Sequence, residues 1–258
     1  MAKLTRKQIE DHLMVMGYIN LQEQDLQELD LSGADLRSAN LSGANLSRAN
    51  LNKTALVDAF LLDVNLSRAS LVGADLSQAD LSGTANLTGA DLRGADMEGA
   101  NLEGSNLSEA NLAGVKLSEA ILTRADLSRA TLTGNDLLAA ADLSRTNLSE
   151  ACMSQANLMG VTLRGADLNR ASLVGANLSG ADMRGTILRE ADLSQANLAE
   201  ADLGRADLQE ANLCGANLSQ AILRGAGLRD AKYDQQTQWP EGLMPAIAGA
   251  ILVDSKSK

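Results

Sequence analysis

The sequence predicts an all-β solenoid: a quadrilateral β-helix of about ten coils, with a short N-terminal capping α-helix. Three observations predict it. Leucine recurs every five residues from Leu21 to Leu228, alanine precedes most of these leucines by two positions, and aromatics make up only 2 % of a 258-residue chain that is 45 % apolar. A globular core of that size normally draws on large aromatic side chains to bury area. This core must instead be narrow, regular and built from leucine and alanine.

The period decides the architecture. Stepping by five from Leu21, every stop to Leu81 is Leu; the count restarts at Leu87 and runs to Leu137, then restarts at Leu143 and runs to Leu228. Only Met97, Met153 and Met183 among these 42 centres are not Leu. From Leu36 onward, Ala fills 31 of the 39 positions two before a centre and Asp or Asn fills 27 of those one before, so the unit is A-(D/N)-L-x-x. On an α-helix a step of five turns the side chain by about 140° and would wrap leucines around every face. On a strand an odd step sends successive leucines to opposite faces. A chain that turns a corner every five residues points every leucine at one axis, and four corners close a coil of 20 residues. Coils stacked about 4.8 Å apart make a rod on the order of 50 Å long. Alanine marks the inward position with little room, while Gly, Asp, Asn and Ser suit the corners.

Two breaks interrupt the count, at 84–85 and 138–141, and each reads as a one-residue bulge that restores phase. Were the second not absorbed locally, the 18 centres after Leu137 would turn to water, each forfeiting about 1.5–3 kcal/mol. Asn135, at an alanine position, is expected to hydrogen-bond the disturbed backbone.

The stretch SGADLRSANLSGANLSRANL (32–51) resembles the pentapeptide-repeat family, and the likeness covers about residues 19–233. The resemblance implies a right-handed β-helix and no single function.

The chain divides into an N-terminal helical cap (1–18), the β-helix (19–233) and a C-terminal cap and tail (234–258). Residues 4–17 read as a helix: Thr5 and Gln8 form a capping box, Leu4 and Ile9 a hydrophobic staple, and Gly17 a stop. Ile9, Leu13 and Met16 share the face expected to cover the first coil, and His12 is a surface residue. At the other end Tyr233 takes the last centre, with Trp239, Leu243 and Met244 covering the final coil. The apolar segment 246–253 is too short to span a membrane; it reads as part of the cap, with a homodimer contact as the alternative. The Tyr-Asp…Thr-x-Trp-Pro-x-Gly pattern of this tail resembles that of cyanobacterial family members.

A net charge of −11 argues against nucleic-acid or anionic-membrane partners. There is no leader-like start and no disulfide framework in two distant cysteines, so a cytoplasmic protein is expected. No phosphate loop, nucleotide-binding glycine motif, metal-spaced Cys/His set or nucleophile–base pair is present, so no catalytic residue, cofactor or metal is assigned. The expected function is a non-enzymatic, rigid protein-interaction scaffold with a regulatory role.

Assigning every fourth centre to one face, with neither bulge rotating the faces, puts Arg124, Arg145, Arg164, Arg184, Arg205 and Arg224 on successive coils of one face. Its neighbour carries Arg48, Arg68, Arg129, Arg170, Arg189 and Arg229. A face on the opposite pair carries Asp35, Asp58, Asp75, Asp96, Glu98, Glu119, Asp136 and Glu200. The six-arginine ladder is the candidate site for a protein partner with an acidic surface. The alternative is a DNA-mimicking protector or inhibitor of a type II topoisomerase (gyrase), as in some family members. Those often place Phe at centres and carry a protruding loop, where this chain has Leu and one-residue bulges. Cys152 and Cys214 fall outside the inward positions, three coils apart on one face, and are expected to be exposed and unbridged.

Overall fold

The computed structural model describes residues 5–9, 19–134 and 140–253. Its logic lies in the five amides of one repeat, and residues 39–43 serve as the example. The Ala39 N–H donates to the Leu36 carbonyl at 3.1 Å and closes the corner; Asn40 N–H donates to Ile19 O (2.9 Å) in the coil before. Leu41 and Gly43 N–H donate to carbonyls of the coil after, those of Phe60 (2.7 Å) and Leu62 (2.8 Å). The remaining amide, Ser42 N–H, donates to the Asn40 side-chain oxygen at 3.1 Å. Asp or Asn before each centre is therefore more than a turn former: it accepts the one donor that stacking leaves over. Asp30, Asp75, Asp126, Asn147 and Asp192 repeat the contact.

The second corner residue lies at positive φ whether or not it is glycine, for example Arg145 (58°), Glu150 (59°) and Gln220 (61°). That conformation costs an L-residue roughly 1–2 kcal/mol, and the corner and cross-coil bonds hold it in place.

Parallel bridges at 20-residue steps, such as Asn20↔Asn40↔Phe60↔Asp80, define four sides. Side one starts at Leu21, side two at Leu26, side three at Leu31 and side four at Leu36. Among the described residues every centre from Leu26 to Leu218 is at most 1 % exposed. Where a hydroxyl replaces alanine it is buried and satisfied: Thr54 donates to Leu31 O (2.9 Å) and Thr146 to Leu117 O (2.7 Å).

The first break is a one-residue bulge. Asn65 pairs with Asn86, 21 residues on, and the Thr84 amide and hydroxyl both donate to Asp63 Oδ1 at 2.8 Å. These two bonds, the amide first, hold the Asp63 carboxyl below its ordinary value.

The second break corrects the sequence reading. Lys116 pairs with Asp142 and Thr131 with Asn157, each 26 residues on. Leu117, Leu122, Leu127 and Leu132 supply the four sides of one coil, and Leu143 opens the next. The Ala141 N–H donates to Leu132 O at 3.0 Å, the bond that closes an ordinary corner, across residues 133–140 instead of two residues. The insertion is six residues, not one. A count in fives cannot separate these, because six extra residues and one extra residue leave the same remainder. Asn135 and Leu137 lie outside the described residues. The consequence is that every centre from Leu143 onward sits one side back from the position that counting assigns.

At the N-terminus the helix α1 (6–9) has the expected capping box, with Thr5 N–H donating to Gln8 Oε1 at 2.8 Å and Gln8 N–H to Thr5 Oγ1 at 3.4 Å. Ile9 is buried in the core. Leu4, His12, Leu13, Met16 and Gly17 lie outside the described residues. At the C-terminus β1 (Lys232–Tyr233) pairs in parallel with β2 (Ile251–Leu252), which adds a last rung to side two. The rings of Tyr233 and Trp239 meet edge to face at 5.5 Å, and Leu243 is half-buried. Met244 does not cover the final coil: it is 65 % exposed, as are Ile247, Ile251 and Leu252 in large part. Asp234 ties the cap to the rod. Burial pushes its carboxyl up, but bonds from the Gly215 amide, the Thr237 hydroxyl and the Gln236 and Thr237 amides outweigh this and hold it below the ordinary value.

Candidate functional site: the charged face of side four

The six-residue insertion redistributes the candidate arginines. Arg145, Arg164, Arg184, Arg205 and Arg224 lie on five successive coils of side four, while Arg124 lies on side one. There the Arg124 Nε meets Glu150 Oε2 at 2.9 Å, a pairing across the insertion that counting in fives does not foresee. The second basic set is also divided: Arg48, Arg68 and Arg129 stand on side two, Arg170, Arg189 and Arg229 on side one.

The five arginines reach outward from two kinds of position. Arg145 and Arg205 occupy positive-φ corners. Arg164, Arg184 and Arg224 stand one residue earlier, and Gly165, Gly185 and Gly225 take the corner behind them. Three of the five are engaged within the chain: Arg145 with Glu119 (3.3 Å), Arg164 with Asp182 (2.5 Å), and Arg184 with Asp182 (2.7 Å) and Asp202 (3.5 Å). Among the described residues Arg205 and Arg224 have no ion pair. With Arg184, Gly185, Asp202, Gly204, Ile222 and Gly225 they line a groove; Ile222 is 53 % exposed.

The acidic residues expected on another face share this one. Asp35, Asp58, Asp75, Asp96, Glu98 and Glu119 all lie on side four, in the coils before the insertion. Glu200 is on side three, and Asp136 lies outside the described residues. Arg37 pairs with Asp35 and holds its carboxyl down. Lys116 donates to Asp96 at 2.8 Å, and this bond raises the ammonium. Up to Glu119 the side carries six carboxylates and two cations, a net −4; from Asp142 to Arg224 it carries five arginines and three carboxylates, a net +2. Side four is thus one face with two signs.

Cys152 and Cys214 share side two and are not bridged. Both are half-buried, not exposed as expected, because residues flanking a centre are shaded by equivalent residues one coil away. Burial first, then Asp234 and Asp192, push the Cys214 thiol up. Among the described residues no three or more His, Cys, Asp and Glu side chains are grouped to hold a metal ion, and no helix is long and apolar enough to cross a membrane.

The repeat register agrees with a comparison to known families. The model of the family "Pentapeptide repeats" matches eight times, over 18–52, 44–83, 85–124, 110–140, 125–165, 156–195, 166–205 and 201–232. The chain belongs to the pentapeptide-repeat family. Pentapeptide-repeat structures are right-handed β-helices. Among solved structures the protein is similar to HetL, a pentapeptide-repeat protein involved in heterocyst differentiation regulation from the cyanobacterium Nostoc sp. strain PCC 7120. The two are 37 % identical over 90 % of this chain and 97 % of that one, with a TM-score of 0.53. It is 45 % identical to alr5209, a pentapeptide-repeat protein from Nostoc PCC 7120, over 43 % of this chain and 84 % of that one (TM-score 0.25). It is 18 % identical to QnrB1, a plasmid-mediated fluoroquinolone resistance protein, over 92 % of both chains (TM-score 0.46). No curated protein matches the chain.

Proposed function

We propose that this pentapeptide-repeat protein is a non-enzymatic, rigid interaction scaffold, cytoplasmic and regulatory, on which the arginine half of side four docks an acidic protein surface. In this reading the right-handed β-helix of about ten coils (19–233) is the working surface, and 1–18 and 234–258 are its caps. One observation carries it: five arginines stand on five successive coils of one side in a chain of net charge −11, and Arg205 and Arg224 have no ion pair among the described residues. The repeat asks only for a polar residue there. Arginine adds a planar fork that binds carboxylates in two places. The similarity to HetL supports a regulatory role.

The test uses poly-L-glutamate as an acidic probe. Changing Arg164, Arg184 and Arg205 together to Ser leaves the thermal melt unchanged and weakens probe binding. Wild-type binding fades as salt rises, since exposed charges are screened over about 8–10 Å near physiological salt. Equal binding and equal salt dependence in the triple variant would remove the arginine face as the site.

A second reading has one observation in its favour. The corner between Leu132 and Ala141 holds six residues more than an ordinary one, rather than the one-residue bulge that set this chain apart from DNA-mimicking gyrase protectors, and the acidic half of side four is the surface such a mimic would use. A gyrase supercoiling assay decides it: unchanged supercoiling at micromolar protein excludes the mimic.

A further inference from the structure

We propose that the acidic surface met by the arginine half of side four is the acidic half of the same side on a second copy of this chain. The inference rests on the preceding reading of the arginine face and names its partner.

Side four is divided by charge near its middle, net −4 before the insertion and net +2 after it. Two copies laid side four to side four with their rods parallel would set like charge on like. With the rods antiparallel, each basic half covers an acidic half. A two-fold axis lying in the interface between the coil of Leu117 and the coil of Leu143 brings the halves into register and closes the assembly as an isologous dimer.

The register can be followed coil by coil. Counting outward from that axis, the second coil on each half matches Arg164 to Glu98, the third Arg184 to Asp75 and the fourth Arg205 to Asp58. Such an axis preserves left and right across the face. Arg205 and Asp58, both second corner residues at positive φ, then face each other, as do Arg164 and Glu98, both first corner residues. Arg205 and Asp58 each lack an ion pair among the described residues, so their meeting breaks no bond already made. The matched strip is about 45 Å long at 4.8 Å per coil and, at three extended residues, at least about 10 Å wide. That is a small interface, which makes a weak and reversible dimer. The chain's overall charge of −11 repels a second copy at very low salt, so association is read near physiological salt.

The experiment is sedimentation velocity on the full chain and on two double variants, R184E/R205E and D58R/D75R. Asp58 and Arg205 are outward corners where arginine already occurs, but Asp75 accepts the Ser77 amide and hydroxyl and Arg184 pairs with Asp182 and Asp202, so both variants melt below wild type and association is compared at a temperature where circular dichroism shows all three folded. Wild type associates at about 150 mM salt and at least tenfold more weakly at about 500 mM, where the screening length falls to about 4 Å. Each double variant alone sets like charges together and loses at least tenfold in association. An equimolar mixture regains it, because the carboxylates of one variant then meet the arginines of the other at both ends. A wild type that stays monomeric at hundreds of micromolar, variants that associate like wild type, or a mixture that fails to associate would each overturn the proposal. Poly-L-glutamate separates this failure from that of the underlying reading. Arginine-dependent probe binding without self-association removes only the second copy as partner; probe binding indifferent to the arginines removes the docking face itself.

Discussion

Deleting residues 135–140 tests the four-sided assignment at its most consequential point. The deletion joins Gly134 to Ala141 and leaves Ala-Thr-Leu-Thr-Gly-Ala-Asp-Leu, two ordinary repeats in phase. Residues 133–140 close a corner with eight residues where two suffice, and the Ala141 N–H to Leu132 O bond is already in place. Shortening the closure from eight residues to two recovers (3/2)RT ln 4, about 1.2 kcal/mol of loop entropy. For a chain of this size that raises the melting temperature by about 2–5 °C. The assay is thermal melting by circular dichroism, paired with a register probe. Asp126 is bridged to Cys152, so Asp126→Cys places two thiols about 4.8 Å apart at Cα, within disulfide range. Oxidation forms that bond in the full-length chain and in the deletion variant alike. If residues 135–140 instead formed a side of the coil, their removal would turn every later side by a quarter. The full-length chain would then lack the 126–152 bridge, which only the deletion variant would form, and the variant's melt would fall by the burial of a leucine, about 1.5–3 kcal/mol. That pair of results would refute the assignment.

Four further outcomes follow from the same architecture. Leu168→Asp puts an unpaired charge into a fully buried position and lowers stability by more than the about 2–5 kcal/mol of a leucine truncation; Arg170→Ser, two residues on and exposed, leaves the melt nearly unchanged. Gly104→Ala sets a methyl 2.8 Å from the Gly83 carbonyl, whereas Gly160→Ala meets nothing within 4 Å; both have positive φ, so the difference in their denaturant midpoints isolates an overpacking cost of about 1–3 kcal/mol. Because the folded Asp234 carboxyl is held below its unfolded value, its stabilisation of the C-terminal cap is present above the unfolded value, near pH 4, and is lost as pH falls through the folded one. Trp239 fluorescence reports this loss, and Asp234→Ala removes that acid-sensitive step. Cys214, half-buried with its thiol pushed up, reacts with a maleimide more slowly at neutral pH than a free-solution thiol; equal rates would contradict its shading by the neighbouring coils.

Much of this was legible in the period alone. Leucine at each fifth residue with alanine two before can only be buried by a chain that turns every five residues, and Thr5 with Gln8 marked the start of α1. The sides themselves were not legible across the second break. Leu137 keeps the count of five through 132, 137 and 143 with a single slip, and only the pairing of Thr131 with Asn157 shows that six residues stand outside the coil. That misassignment put Arg145, Arg164, Arg184, Arg205 and Arg224 on the side of Arg124 and separated the acidic and basic halves of side four. The half-burial of Cys152 and Cys214 was hidden for another reason: their shading comes from residues 20 positions away, which no local window contains.

The corner bond has an engineering meaning. Its geometry is set by Leu132 and Ala141 and not by what is threaded between them, so the contour length of a corner is decoupled from the phase of everything downstream. An insertion within a side would scramble the address of each later residue, but one at a corner changes none. Each corner of the rod is therefore an independent port for grafted sequence, with its height fixed by coil number and its bearing fixed by side. The chain already uses one such port at 133–140.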